Sequence, residues 1–185
     1  MKEEAIDDHI SRYIRRIQLG LRFLGHGARA HTTCQWTGLT PDQLVTVRRR
    51  SKFNSNERLR GPSPSSFSVF FRSNRSSSQA ALFVSLCRVV GASRPMRSIE
   101  NGERLCEAFE IFRAWEPTSD LEFEQAILLM DGAAQGDHVD CLPCSSCASS
   151  MLIDKFGDTR TVCHVCRRRS RLTKGSPRES RACAS

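Results

Sequence analysis

Asp140 to Arg171 reads DCLPCSSCASSMLIDKFGDTRTVCHVCRRRSR, which holds five of the chain's nine cysteines in two clusters. A run of arginines follows the second cluster directly. Two C-x-x-C pairs on separate tight turns are the arrangement that closes four sulfurs around one tetrahedral metal ion, most often zinc. Cys163 and Cys166 form one such pair; the other is either Cys141/Cys144 or Cys144/Cys147. We take Cys144/Cys147, because fifteen residues then separate the pairs, a common ribbon spacing. Small residues follow Cys147, where a knuckle backbone turns, and Pro143 stiffens the approach to Cys144. His164 and His138 are the alternative ligands, and Cys141 the alternative thiol. "SSMLID" and "GDTRTV" are expected to form two short strands joined at Gly157-Asp158.

Working outward, few apolar residues lie between the clusters, so a bound ion has to supply much of what orders this segment. Four thiolates also close the coordination shell, whereas a catalytic zinc keeps a position open. The site is therefore expected to be structural, with one Zn2+. A redox role for C-x-x-C requires a strand-to-helix context, which the sequence does not suggest.

The chain has 185 residues and a net charge of +8. The charge is polarised. Arg167 to Ser185 carries seven basic residues against Glu179, a net of +6. Ser98 to Asp140 carries eleven acidic residues against Arg104 and Arg113, a net of −9. Cationic surfaces of this kind suit a polyanion, and the acidic middle suits a protein partner. The apolar runs "AALFV" and "AILLM" are far too short to cross a bilayer. The charged start "MKEEAIDDH" shows no export signal, so a cytoplasmic location is expected.

The remainder reads as helical. Ile6, Ile10, Ile14, Ile17, Leu21 and Leu24 recur every three or four residues, predicting a first helix with one apolar stripe. Residues 28–36 make a short helix and Thr37-Gly38-Leu39 a turn. Thr40, Pro41 and Gln43 then form a capping box, with Leu39 and Leu44 spaced as a hydrophobic staple. Helix, glycine turn and capped helix ending in Arg48, Arg49 and Arg50 make a helix-turn-helix-like pattern. "NSNERLRGPSPSSF" is a loop, and three further helices follow within "SSQAALFVSLCRVV", "NGERLCEAFEIFRAW" and "DLEFEQAILLMDG". Cys34, Cys87 and Cys106 read as small core residues. No repeat, phosphate-cradling loop or catalytic constellation is visible, so an enzyme is not expected. The fold class is mainly α: an amino-terminal helix and helix-turn-helix-like segment at 1–60, an acidic helical region at 61–137, a four-Cys zinc ribbon at 138–171, and a basic tail without fixed structure at 172–185.

Taken together, "RRIQLGLRFLGHGARA", "TGLTPDQL", "RLRGPSPSSF", "NGERLCEAFEIF" and the two-cluster cysteine module, in this order, resemble the FlhC family. This is the zinc-containing subunit of the bacterial flagellar master activator, with relatives encoded on conjugative elements. The resemblance runs from about Arg15 to Arg171. It implies a mainly helical protein with a carboxy-terminal four-Cys zinc module that joins a D-type partner, binds promoter DNA and recruits RNA polymerase. By position it implies Cys144, Cys147, Cys163 and Cys166 as zinc ligands. It also implies DNA contacts from Arg48, Arg49, Arg50, Lys52, Arg58 and Arg60, and from Arg167, Arg168, Arg169 and Arg171. Gln43, near the start of the capped helix, is the expected base reader. The functional expectation is a transcription activator subunit serving flagellar or conjugative-transfer promoters. The alternative is a zinc-ribbon adaptor that binds only protein.

Overall fold

The arrangement follows from how each helix hides its apolar side, as seen in a computed structural model that describes residues 2–51, 63–92 and 97–174, with 2–7 and 173–174 as backbone only. The helices are α1 Lys2–Gly25, α2 Ala30–Thr37, α3 Pro41–Arg50, α4 Asn74–Val90, α5 Ile99–Trp115, α6 Phe123–Gln135 and α7 His164–Lys174. A 3-10 turn, Phe67–Phe71, precedes α4, and two short strands, β1 Val139–Pro143 and β2 Ser150–Asp154, separate α6 from α7. The mainly helical fold read from the sequence is what the chain adopts.

The helix-turn-helix-like segment forms as its local chemistry dictates. The Thr40 hydroxyl accepts from Gln43 N at 3.2 Å, and Gln43 Oε1 accepts from Thr40 N at 2.9 Å, so both halves of the capping box exist. Gly38 between the two helices has φ of +67°, a left-handed conformation that glycine takes without a Cβ penalty. Leu39, Leu44 and Leu24 are buried together, with Ile17 and Cys34 against them, which joins α3 to α1. Ser73 caps α4 by accepting from Ser76 N, so the Ser/Arg-rich "FRSNRSSSQ" begins a helix.

One apolar core runs from α1 to the strands. Phe23, Phe83, Phe109, Phe112 and Phe123 form its centre, with Phe23 and Phe109 each 5.0 Å from Phe123 in edge-on contact. Here the expected stripe of α1 needs correction. Leu19 and Phe23, not the isoleucines, anchor α1 in this core, at 1% and 0% exposure. Ile10 and Ile14 are half exposed, because the amino-terminal half of α1 extends past the helices it packs on.

The acidic middle is also paired within the molecule, at the surface by Glu103 and Glu110 and in the interior by Glu124. Glu103 takes Arg15 of α1 in a two-point ion pair. Glu110 takes Arg22 at 3.1 and 2.8 Å and His26 at 3.0 Å. Glu124, almost fully buried, accepts from Arg29 N at 2.7 Å and Thr32 Oγ1 at 3.0 Å. Much of the acidic charge of α5 and α6 therefore holds α1 and α2 in place.

The strand expectation is only half right. β2 forms where "SSMLID" predicts, but its partner is β1, antiparallel, with Cys141 opposite Leu152 and Pro143 opposite Ser150. Residues 157–162 are not a strand. Val139, Cys141 and Leu152 sink into the core, and this burial against α4 and α6 selects β1 as the partner.

A candidate metal centre at the root of a basic helix

The β1–β2 turn and the start of α7 bring four sulfurs together. The chain leaves β1 at Pro143 and doubles back at once: Ala148 N donates to Cys144 O and Cys144 N donates to Ser149 O, each at 2.9 Å. Ala148 has φ of +58°, the sharp turn anticipated just after Cys147. Across the module, Ser145 N donates to Thr161 O at 2.9 Å and sets the second pair against the knuckle.

Cys144, Cys147, Cys163 and Cys166 each present a sulfur, and all four lie within 4.8 Å of one another. Cys147 Sγ and Cys163 Sγ are 3.7 Å apart. With metal–sulfur bonds of about 2.3 Å, the edge of a regular tetrahedron is about 3.8 Å, so the set fits one tetrahedral ion. The four cysteines named from spacing are the four the fold gathers. The register of β1 explains the choice within the first cluster. Cys141 points into the core and is only 6% exposed, and burial pushes its thiol up to about 11. Neither His164 nor His138 is among the gathered ligands; the His138 ring stacks on Phe67 with centroids 5.1 Å apart.

The backbone is arranged for charged sulfurs. Cys163 N donates to Cys144 Sγ at 3.2 Å and Ser146 N does so at 3.4 Å. The Cys163 amide foremost, with those of Ser146 and Cys147, holds the Cys144 thiol down at about 6. A contact of 3.1 Å with the Ser149 hydroxyl lowers Cys147 as well. At Cys166 the Ser146 hydroxyl works downward, but the sulfurs of Cys147 and Cys163 outweigh it and raise the thiol to about 11. Four negative sulfurs repel one another at this distance, and a bound cation removes that cost.

The second pair opens a helix, contrary to the sequence expectation: α7 begins at His164, and Cys166 N donates to Cys163 Sγ at 3.4 Å. A loop rather than a strand leads into it, so the strand-to-helix context of thiol redox sites is only half present. The helix continues to Lys174, three residues beyond Arg171 and into the stretch expected to lack structure. Arg168, Arg169, Ser170, Arg171 and Leu172 are all exposed. Five consecutive positions turn through more than one full helical revolution, so α7 stands out from the described part of the body over that length.

The remaining positions singled out for DNA are dispersed. Arg49 and Arg50 are exposed at the end of α3. Arg48 is half-buried, and its enclosed Nε has no hydrogen-bond partner among the described residues. Gln43 is half-buried with its carbonyl committed to the capping box. Lys52, Arg58 and Arg60 lie outside the described residues. α3 packs on α1 and α2, whereas the strands that carry the cysteine module pack on α4 and α6. The sequence reading treats the last arginines as a run and passes over Val165 and Leu172, which are 60% and 71% exposed. Their seven-residue spacing is the signal, and it has meaning only once 164–174 is helical.

No protein-family model matches the chain, and no curated protein matches it. No helix among the described residues is long and apolar enough to cross a membrane.

Proposed function

We propose that the chain is a DNA-binding transcription activator subunit of the FlhC type, in which one structural Zn2+ fixes a basic helix against the body. The observation that carries this reading is the junction of site and helix. Two of the four gathered sulfurs come from the residue before α7 and from its first turn, and the exposed length beyond them bears Arg168, Arg169 and Arg171. Four thiolates and no carboxylate favour zinc over harder ions. Once the metal has rooted the helix, its arginines meet phosphates without a large ordering cost, and the exposed Arg49 and Arg50 on α3 supply a second cationic surface. A D-type subunit would join the complex, and RNA polymerase would be recruited to flagellar or conjugative-transfer promoters.

The test is a fluorescence titration of duplex DNA over a range of salt, with and without a co-expressed D-type subunit. Affinity should fall steeply with salt, because each neutralised phosphate releases counterions. Replacing Arg167, Arg168, Arg169 and Arg171 together by Ala should flatten the log–log slope by roughly two to three. A salt-independent affinity, or none at low salt with the partner present, would remove the proposal. A second reading, a zinc-ribbon adaptor that binds protein alone, draws on the exposed Phe156 and Leu142 of the module, at 77% and 43%. That reading predicts zinc without duplex binding.

A further inference from the structure

Resting on that DNA-binding reading, we infer that the outward face of α7, formed by Val165, Arg168 and Leu172, enters the major groove and reads base edges, while Arg167 and Arg171 hold the flanking phosphates. The face is defined by the site itself. Cys163 and Cys166 turn one side of the helix toward the gathered sulfurs. At about 100° per residue, Val165, Arg168 and Leu172 share the opposite side, at the i, i+3 and i+7 positions, whereas Arg169, three residues after Cys166, turns toward the cysteine side.

Three properties of this face separate base reading from plain charge attraction. First, it is not uniformly cationic. Val165 and Leu172 are large apolar side chains at 60% and 71% exposure, one turn to either side of Arg168. Their place on the same face as Arg168 offers a groove apolar contacts beside a charge. Second, apolar groups alternating with arginine match what the major groove presents: thymine methyl groups, and the paired O6 and N7 acceptors of guanine. Third, the dimensions fit. α7 has 11 residues, a length of about 16 Å at 1.5 Å per residue. Among the described residues, every position from Arg168 to Leu172 is exposed, which leaves room along that length for a groove about 12 Å wide. Of this face only Val165, at the root, borders a cavity walled by Asn74 and Ser77 of α4. Arg167 and Arg171 fall on the side shared with neither the cysteines nor Val165, where a groove wall would stand. The chemical class of the ligand is therefore double-stranded DNA with guanine and thymine on the read strand.

The experiment begins with selection of bound duplexes from a randomised 20-base-pair library by the full, metal-loaded chain. The enriched duplex is then compared with copies in which single thymines are replaced by deoxyuridine, which removes only the methyl group. Arg168→Ala should weaken the enriched duplex tenfold or more, but random-sequence duplex only slightly. Leu172→Ala should abolish a severalfold preference for thymine over deoxyuridine at one or two positions. Unchanged metal content and helicity in both variants, expected for exposed positions, exclude unfolding as the cause. Equal weakening of enriched and random duplexes by Arg168→Ala, or a thymine preference that survives in both Leu172→Ala and Val165→Ala, would overturn the groove assignment while leaving DNA binding intact. Failure to retain any duplex, even with a D-type subunit present, would overturn the underlying reading as well.

Discussion

Gly102 shows how closely α1 and α5 are fitted. A Cβ built there meets Leu19 Cδ2 at 2.8 Å and Trp36 Cε3 at 3.3 Å, and both neighbours are buried to 2% exposure or less. Alanine normally favours a helix over glycine by about 1 kcal/mol, but overpacking a closed core costs about 1–3 kcal/mol. The clash should win, so Gly102→Ala is expected to lower stability by about 1–2 kcal/mol in urea unfolding. Gly157→Ala, with nothing within 4 Å of the added carbon, should change it by no more than about 0.5 kcal/mol. Glu124 is the opposite kind of residue, a charge held inside. Its carboxylate serves Arg29 N and Thr32 Oγ1, with the Arg29 guanidinium 3.6 Å away. Glu124→Ala strands these groups in the interior and should cost about 3–5 kcal/mol in the same assay.

At the scale of elements, the account turns on which cysteines serve the metal and which serve the core. Cys163→Ser should abolish stoichiometric metal binding by mass spectrometry under native conditions. Cys141→Ser should keep the metal, yet lose about 1–3 kcal/mol of stability by burying a hydroxyl in an apolar environment. Retention of the metal by Cys163→Ser, or its loss from Cys141→Ser, would mean that the ligand set is wrong. The pH dependence of the metal-free module has a definite sign. The Cys144 thiol falls from an ordinary value near 9 to about 6 on folding, so its stabilising contribution is complete above about pH 9 and is lost as pH falls through about 6. In metal-free protein the fraction that keeps the module closed should therefore fall between about pH 9 and 5.5, read as a loss of the α7 signal in far-UV circular dichroism.

The same elements show what the chain made legible. α3 could be read directly because Thr40, Pro41 and Gln43 act on their own backbone within four residues. The ligands could be read because metal chemistry imposes a spacing on the sequence. The partner of β2 could not be read, since Cys141 and Val139 choose it by packing on the neighbouring α6 and on α4, which is far away in the chain. The face of α1 was obscured for a related reason. A regular stripe of isoleucines dominates the pattern, while burial is decided by where α5 begins, since α5 runs parallel to α1 with Glu103 at Arg15 and Glu110 at Arg22. α7 was hidden by its composition, because a cluster of arginines reads equally well as an unstructured tail.

Over the whole molecule, charge is sorted by use. Three of the six carboxylates of α5 and α6, those of Glu103, Glu110 and Glu124, engage arginines of α1 or the Arg29 amide and Thr32 hydroxyl at the start of α2, whereas Arg49, Arg50, Arg168, Arg169 and Arg171 stand at the surface. On the DNA-binding reading these exposed cations meet a polyanion. In the proposed function the metal connects these two parts, since it holds the root of α7 to the hairpin packed on the core. Removing the ion should free the helix without unfolding the aromatic centre around Phe123. Far-UV circular dichroism should then lose about one short helix, while near-UV signals from the core persist.

The most direct test of the central claim is duplex affinity, measured by fluorescence anisotropy on the same protein before chelation, after chelation and after zinc is restored. The account predicts one metal per chain, a salt-sensitive affinity that falls at least tenfold on chelation, and its recovery with zinc. An affinity that is the same with and without the metal would contradict it.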